Sequence, residues 1–196
     1  MGELCHYLLT EDARRQVAGF AVERRFMNRA EFLGLPVVTF EEVTSEFKPT
    51  QFDMLVAVGP GERNRLRARI FAAATALGYG IASCVHSSVK LPPGVIIGRN
   101  CLIFENAAVQ PGARLGDNVV VRPLAYVGHH VQIGDHAFIA PQACLLGRSL
   151  IGERSLISAG AVVGAGVEIG RDSIVGANAA VMTSVPPRSV VRAGNG

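Results

Sequence analysis

Residues 97–186 divide into fifteen consecutive groups of six, which begin with I97GRNCL, I103FENAA, V109QPGAR and L115GDNVV and end with I169GRDSI, V175GANAA and V181MTSVP. The first position of every group is Ile, Val or Leu, and the fifth is always Ala, Ser, Val or Cys. No residue interrupts the frame. A period of six fits neither an α-helix nor a hairpin, and it is typical of a β-helix in which each group is one short strand and one corner.

This periodicity predicts the geometry of the coil. Strand alternation turns the first residue of each group inward and its neighbours outward, and the small fifth residue fits where the corner narrows. Three groups close one triangular coil of 18 residues, so five coils stand about 24 Å tall at the usual spacing between strands. V85HSSVK and L91PPGVI keep the same frame. We therefore predict a β-helix over residues 85–196.

The composition is that of a packed globular chain, with 49% hydrophobic and 18% charged residues and a formal net charge of +3. No basic block favours nucleic acid or a membrane surface, and no apolar run approaches the length of a membrane span. The first residues lack a basic segment before an apolar core. We expect a cytoplasmic protein with no nucleic acid or membrane partner. The four cysteines have no CxxC spacing, which favours reduced structural thiols.

Residues 1–84 lack the six-residue period and predict a small α/β unit. Strands are expected in V17AGFAV, L35PVVTF, F52DMLVAVG and G80IASCV. A helix is expected from Glu62 to Gly78, with arginines mostly outside an apolar face formed by Leu66, Ile70, Ala73 and Leu77. Alternating strands and helices indicate a parallel sheet, although an opening apolar strand with a glycine-rich turn is missing, so the sheet is incomplete.

The segment Gly59-Pro60-Gly61 joins the predicted buried strand to this helix. Ligands of parallel sheets bind beyond the carboxyl ends of the strands, and a helix amino terminus attracts anions. Gly59 and Gly61 are therefore candidate contacts for a phosphate or a nucleotide. A plain turn that needs glycine and proline is the alternative.

Spacing by 18 residues stacks outward-facing residues of one face into a column, formed by Leu102, Val120, Phe138, Leu156 and Ile174. Five apolar residues in succession are unexpected at a solvent-facing strand position, so the column should be covered. We expect another copy of the chain to cover it, which for a three-sided prism indicates a homotrimer. The alternative is that the amino-terminal unit folds over this face.

Three of the five histidines fall within eight residues: His129, His130 and His136. The column neighbours of His129 are small or uncharged, namely Pro111, Gly147 and Ala165, which leaves its ring the room that a general base needs beside a substrate. His130 stacks with Gly112 and Arg148 and completes the candidate catalytic pair. His136 has the position of an ordinary corner residue, and a structural role is the alternative for each of the three.

The groups of six and the segment V127GHHVQIGDHAFIAP resemble the left-handed β-helix sugar acyltransferases, in which a small Rossmann-like domain precedes the helix. These include the N-acetyltransferases of the bacillosamine and perosamine pathways and the sialic acid O-acetyltransferases. The resemblance implies a truncated Rossmann-like α/β domain over residues 1–84 and a left-handed parallel β-helix over residues 85–196. It also implies a homotrimer that uses acetyl coenzyme A, with His129 as general base at a subunit interface.

The acceptor implied by the resemblance is a nucleotide-linked amino sugar, for which Gly59 and Gly61 are the candidate contacts identified above; O-acetylation of a sugar hydroxyl is the alternative. By position the coenzyme contacts four residues, namely Phe138, Gly147, Ala159 and Ala177. The N–H of Gly147 is expected to polarise the thioester carbonyl. The sequence departs from the family where His130 replaces a carboxylate of several relatives and Phe138 replaces a coenzyme-contacting histidine. The amino-terminal glycine loop is also largely missing.

Two other classes of protein use the same prism. The γ-type carbonic anhydrases bind zinc with three histidines across a trimer interface, but the spacing of His86, His130 and His136 does not fit that arrangement, and no metal is expected. A non-catalytic scaffold or trimerisation module is the other possibility, and it predicts that coenzyme A does not bind.

Overall fold

The protein is described over residues 1–194 by a computed structural model, and residues 84–191 wind into a three-sided parallel β-helix. Face 1 has seven strands: Cys84–Val85, Leu102–Ile103, Val120–Val121, Phe138–Ile139, Leu156–Ile157, Ile174–Val175 and Val190–Val191. Face 2 has five: Ala108–Val109, Tyr126–Val127, Cys144–Leu145, Val162–Val163 and Ala180–Val181. Face 3 has five: Ile96–Ile97, Arg114–Leu115, Gln132–Ile133, Leu150–Ile151 and Glu168–Ile169. The predicted division after residue 84 falls inside the first strand of face 1.

The register follows the six-residue frame without a slip. Val120 pairs with Phe138 and Val121 with Ile139, each 18 residues apart, and every other pair of neighbouring prism strands from residue 96 to residue 181 repeats this spacing. The first residue of each group fills the interior, where Val121 and Ile139 are fully buried. A β-helix driven by aliphatic burial is therefore confirmed.

The fourth residue of most groups takes the left-handed backbone conformation, with φ between 53° and 62° where it is not glycine. This corner geometry favours Asn, Asp, His and Gly, because their side chains are short, locally hydrogen-bonded or absent. Four asparagines occupy it: Asn100, Asn106, Asn118 and Asn178. His130 and His136 share the same conformation. The corners are thus set by backbone sterics at a position whose residue type varies.

The amino-terminal unit contains three helices, α1 (Gly2–Tyr7, continued by a π-helical turn over Leu8–Asp12), α2 (Val43–Glu46) and α3 (Arg65–Ala76). Its strands are β1 (Phe20–Val22), β2 (Glu31–Phe32), β3 (Leu35–Thr39), β4 (Asp53–Met54) and β5 (Gly80–Ile81), and 3-10 turns lie at Arg24–Phe26 and Gly61–Asn64. They form two separate sheets, one in the order β1-β3-β2 and one of parallel β4 and β5. Within residues 1–194 no helix is both long and apolar enough to span a membrane.

The long buried strand expected in F52DMLVAVG is wrong, since only Asp53 and Met54 pair with a neighbouring strand. The Asn100 side chain at a prism corner binds the next part of the run instead. It accepts the Val56 N–H at 2.8 Å and donates to the Val56 carbonyl at 3.2 Å. A side-chain amide of the β-helix therefore takes the place of a neighbouring strand, and it fixes the amino-terminal unit to the prism.

The apolar column of face 1 is covered by the amino-terminal unit of the same chain. Leu102 and Val120 are fully buried and Phe138 is 6% exposed, in one cluster with Cys5 and Leu8 of the first helical segment. The expectation that another copy of the chain covers these positions is wrong for Leu102, Val120 and Phe138. An 18-residue pattern shows that a face is covered but cannot show which part of the assembly covers it.

Helix α3 docks on the prism through a buried arginine. Arg67 is fully buried, and its Nη2 donates to the Asn118 carbonyl at 2.7 Å and to Asn118 Oδ1 at 2.9 Å, while Nη1 donates to the His136 carbonyl at 3.2 Å. The predicted face of this helix is only partly correct, because Arg67, Phe71 and Ala74 are buried while Leu77 is 39% exposed, although Ile70 packs against the buried cluster. The guanidinium supplies donors to these two corner carbonyls. Burial lowers the pKa of Arg67 to about 10, so the guanidinium stays charged at neutral pH.

His136 belongs to this same contact. Its Nδ1 lies 2.9 Å from Asn118 Nδ2, and its ring meets Phe71 of α3 edge-on. Burial lowers the pKa of His136, the carboxylates of Asp135 and Glu153 oppose that shift, and the guanidinium groups of Arg67 and Arg154 add to it. The interface between the two parts of the chain therefore favours the neutral imidazole.

Candidate active site

His129 and His130 lie on the corner between faces 2 and 3, directly after the strand Tyr126–Val127. The left-handed conformation of His130, with φ of 57°, turns the chain at this corner. Both imidazoles are exposed. The predicted catalytic pair is thus accessible to a ligand on this edge.

The Nε2 edge of the His129 ring lies against Gly147, which occupies the same corner one coil further on. A methyl group added at Gly147 would come within 2.6 Å of His129 Cε1 and 2.8 Å of Cδ2, and closer still to Nε2. Only glycine leaves room for the edge of the ring that carries Nε2. The sequence predicts a small residue that leaves room beside His129, and the structure places Gly147 next to the His129 ring as expected.

The Gly147 N–H has no hydrogen-bond acceptor among the described residues. On the corner between faces 3 and 1 two of the five equivalent groups are occupied, since the Arg99 N–H donates to Asp117 at 2.7 Å and the Asp117 N–H donates to Asp135 at 2.8 Å. Among the described residues the N–H groups of Asp135, Glu153 and Arg171 have no acceptor, so what distinguishes Gly147 is the imidazole beside it. The histidine corner therefore offers a backbone donor beside an imidazole, which is the pair of groups needed to activate a nucleophile and to stabilise an oxyanion.

His130 points along the prism in the opposite direction, towards Gly112 one coil back. A methyl group at Gly112 would lie 2.7 Å from His130 Cδ2 and 2.9 Å from its Nε2. The two imidazoles meet at their other nitrogens, where His129 Nδ1 and His130 Nδ1 are 3.2 Å apart. The ring planes are 80° apart, so the pair is joined by a hydrogen bond rather than by stacking.

The other residues predicted for the coenzyme are divided between two edges. Ala159 and Ala177 are exposed on the corner between faces 1 and 2, on the far side of face 2 from His129. Phe138 lies beneath the amino-terminal unit, where its 6% exposure leaves no surface for a coenzyme, so its predicted role at an interface between copies is not supported. Of the four residues predicted to contact the coenzyme, Gly147 is the one that lies next to the histidines within the described chain.

The outward residues of face 2 form a second column, which the 18-residue spacing of the sequence also identifies but which the sequence analysis did not describe. Its outward residues are small or apolar and at least partly exposed: Ala108, Tyr126, Cys144, Val162 and Ala180. Leu124 and Met182, at the adjoining corners, are 55% and 60% exposed. The His129 corner bounds this face on one side and the Ala159 corner bounds it on the other. No part of the described chain covers it.

A cavity of about 1040 Å³ separates the two sheets of the amino-terminal unit. Its walls are mainly apolar, from β1, β3, α1 and residues 52–58. Gly59 and Gly61 lie outside these walls, in the loop that leads to α3, where Glu62, Arg63 and Asn64 all have left-handed φ values. Asn64 ties this loop to the prism by donating to the carbonyls of Arg154 and Ser155. A role for the two glycines in substrate binding stays a prediction.

Within residues 1–194, no three His, Cys, Asp or Glu side chains are grouped as they would be around a metal ion. His86 is far from His129 and His130 in the sequence and contacts Asp12, with Nε2 3.5 Å from Oδ1, and Ser88, with Nδ1 2.9 Å from Oγ. These contacts tie the end of the first helical segment to the first coil of the prism.

Two family models match the prism. The model described as bacterial transferase hexapeptide (six repeats) matches residues 112–147 and 148–182, and the hexapeptide repeat of succinyl-transferase matches residues 94–122. No curated protein matches this sequence.

Solved structures match almost the whole chain. The acetyltransferase domain of PglB from Neisseria gonorrhoeae, in complex with acetyl coenzyme A, is 32% identical over 98% of this chain and 89% of that one, with a TM-score of 0.85. A histidine-to-asparagine variant of perosamine N-acetyltransferase from Caulobacter crescentus, in complex with CoA and GDP-perosamine, is 27% identical over 95% and 86%, with a TM-score of 0.87. WeeI from Acinetobacter baumannii, at 21% identity and a TM-score of 0.74, shares the fold. The chain therefore belongs to the left-handed β-helix sugar acetyltransferases.

Proposed function

We propose that this protein transfers an acetyl group from acetyl coenzyme A to the amino group of a nucleotide-linked sugar, with His129 as the general base. The observation that carries the proposal is the exposed corner where the His129 ring lies against Gly147, beside an N–H that has no acceptor among the described residues. Membership of the sugar acetyltransferase family supplies the class of reaction.

The reaction needs one proton acceptor and one oxyanion donor. His129 Nε2 takes a proton from the sugar amine as the amine nitrogen attacks the thioester carbonyl. The Gly147 N–H donates to the oxygen of the tetrahedral intermediate. When the intermediate collapses, the C–S bond breaks and the proton on His129 passes to the thiolate of coenzyme A. The amide and the free thiol leave, and His129 returns to its neutral state.

A nucleotide-linked amino sugar is the proposed acceptor because a structure 27% identical to this chain holds CoA and GDP-perosamine together. We propose that Gly59 and Gly61 contact the nucleotide, since both lie in the loop that Asn64 anchors to the prism. The coenzyme would pass Gly147 on one corner of face 2 and Ala159 and Ala177 on the other. Small residues on both edges would let its pantetheine arm approach the backbone.

We propose that the enzyme is a homotrimer whose subunits meet through face 2. This surface is apolar and uncovered in the single chain, and His129 lies on its edge, so a neighbouring copy would complete the coenzyme groove. Tyr126 is 36% exposed on the second of the five strands of the face. Replacing it by aspartate should give a folded species of lower mass with much weaker acetyltransferase activity. Sedimentation equilibrium measures the mass, and a trimeric Tyr126→Asp variant with full activity would contradict this interface.

The assignment of the base is tested with His129→Ala. We expect the rate to fall about 100- to 10,000-fold, the range that general-base catalysis contributes, while binding of coenzyme A and the circular dichroism spectrum stay unchanged. Thiol release from acetyl coenzyme A is followed with amino and hydroxyl forms of the same nucleotide sugar. A preference for the hydroxyl form would transfer the proposal to O-acetylation, and near-normal turnover by His129→Ala would remove His129 from the mechanism.

A further inference from the structure

The geometry of the two adjacent histidines assigns a positioning role to His130. Two nitrogen lone pairs cannot face each other at the 3.2 Å that separates His129 Nδ1 from His130 Nδ1, so one proton must lie between them. The neutral pair therefore has two arrangements, with this proton on one ring or on the other. They differ in which nitrogen of His129 remains free to act as a base.

We propose that the active arrangement is the one in which His129 Nδ1–H donates to His130 Nδ1, and this inference rests on the proposed function. His129 Nε2 then has a free lone pair on the edge of the ring that lies against Gly147, where the reacting groups would meet. In the opposite arrangement the lone pair of His129 points at His130 and Nε2 carries a hydrogen, so His129 cannot accept the proton of the sugar amine. A neutral imidazole thus selects the tautomer of the base.

The same hydrogen bond stabilises the charged intermediate. After His129 Nε2 accepts the proton, His129 is an imidazolium whose Nδ1–H still donates to the neutral His130, and hydrogen bonds from a charged donor are stronger than neutral ones. The proton then passes from Nε2 to the thiolate of coenzyme A, and the proton between the two rings never has to move. His130 touches neither substrate in this scheme and acts through His129.

Three features of the corner hold the pair in this arrangement. His130 is fixed by its left-handed backbone and by the close contact with Gly112, while His129 is fixed by Gly147. Among the ion pairs of residues 1–194, none joins an aspartate or glutamate to either ring, so no carboxylate competes for His129 Nδ1. The charged residues at the neighbouring positions of the flanking coils are Arg114 and Arg148, both exposed. Neither arginine can accept the His129 Nδ1–H, so His130 is left as its acceptor.

The variants His130→Leu and His130→Asn test the role, because the side-chain atoms that replace Nδ1 occupy nearly the same place. Leucine puts a methyl group there, and the fold already accepts leucine in this conformation at Leu124, whose φ is 61°. Asparagine and aspartate put an oxygen acceptor there and favour the left-handed conformation. We expect His130→Leu to lower kcat about tenfold or more, with an unchanged KM for acetyl coenzyme A, and His130→Asn to recover most of that loss.

Rescue by asparagine separates positioning from a structural effect. Leucine and asparagine both occur in the left-handed corner conformation of this fold, at Leu124 and Asn118, but only asparagine offers His129 Nδ1–H an acceptor. Equal kcat for His130→Leu and the wild type, or equal losses in His130→Leu and His130→Asn, would overturn the role of His130.

Failure of this inference is distinguishable from failure of the proposed function. If His129→Ala is inactive while His130→Leu is normal, the base is correct and only the pairing is wrong. If His129→Ala keeps its activity, the mechanism itself fails and the His130 variants lose their meaning as a test of it. Binding of coenzyme A, measured by calorimetry for each variant, shows whether the corner still accepts the co-substrate.

Discussion

The contact between His129 and Gly147 gives the sharpest prediction for Gly147→Ala. The added methyl group would lie within 2.6 Å of His129 Cε1, whereas ordinary van der Waals contact begins at 3.4 Å, so the ring must withdraw by at least 0.8 Å, the difference between the two distances. A misplacement of about 1 Å at a reacting group can lower a rate about 100-fold. We therefore expect kcat for acetyl transfer to fall by about two orders of magnitude.

The same substitution should barely affect folding. Gly147 is not in the left-handed region, and alanine already occupies the equivalent corner position in Ala159, Ala165 and Ala177. We expect a change in the free energy of unfolding of less than about 1 kcal/mol.

The assay is steady-state thiol release, with urea unfolding and calorimetric binding of coenzyme A measured on the same preparation. The matched control is Ala165→Gly, which alters the same corner one coil beyond Gly147 and should leave kcat unchanged. If Gly147→Ala binds coenzyme A and keeps kcat within about threefold of the wild type, His129 is not positioned by this contact, and the reasoning from ring geometry to catalysis fails.

Two further predictions concern the interface between the amino-terminal unit and the prism. Arg67→Ala should lower the free energy of unfolding by about 3 kcal/mol or more in urea titrations, because it leaves two buried carbonyls without a donor and opens a cavity. The control is Arg69→Ala, at an exposed position of the same helix, which should lower it by less than about 1 kcal/mol. Equal effects of the two substitutions would contradict the docking role of Arg67. Burial lowers the pKa of His136 in the folded state, so the unfolded chain binds more protons between that lowered value and the usual value of about 6.5. The contribution of His136 to the free energy of unfolding is therefore fully present above a pH of about 6.5 and is lost as the pH falls through the folded pKa. His136→Asn, which fits the same left-handed corner as Asn118, should flatten this dependence, and an unchanged pH profile of urea midpoints would refute the assignment.

The prism was predictable because the residue pattern that specifies it is local and repeated. The first residue of each group of six is aliphatic and buried, and the fifth is small enough for a narrow corner. Val121 and Ile139 are fully buried, as expected for inward positions. A shift by one residue would expose every aliphatic side chain, so the frame has a single solution. The position of His129 beside Gly147 follows from the same arithmetic of 18 residues.

The amino-terminal unit was less predictable because its stability depends on contacts with the prism. Arg67 looks like an exposed helix residue in the sequence, but it is buried because the carbonyls of Asn118 and His136 lie under the helix. Val56 has the sequence of a strand residue, but the Asn100 side chain binds its backbone. Neither partner is near in the sequence, so no local pattern could have indicated them.

The sequence by itself determined the coil, its register, the outward columns and the small residue beside the candidate base, since all of these depend on a period that any stretch of the chain displays. Only the tertiary structure decided that the amino-terminal unit covers face 1, that face 2 is left open, and that Nδ1 of His129 and Nδ1 of His130 lie within hydrogen-bond distance. Those outcomes depend on which surfaces meet and on where two ring nitrogens point, and both are set by docking and side-chain torsions that a repeat does not encode.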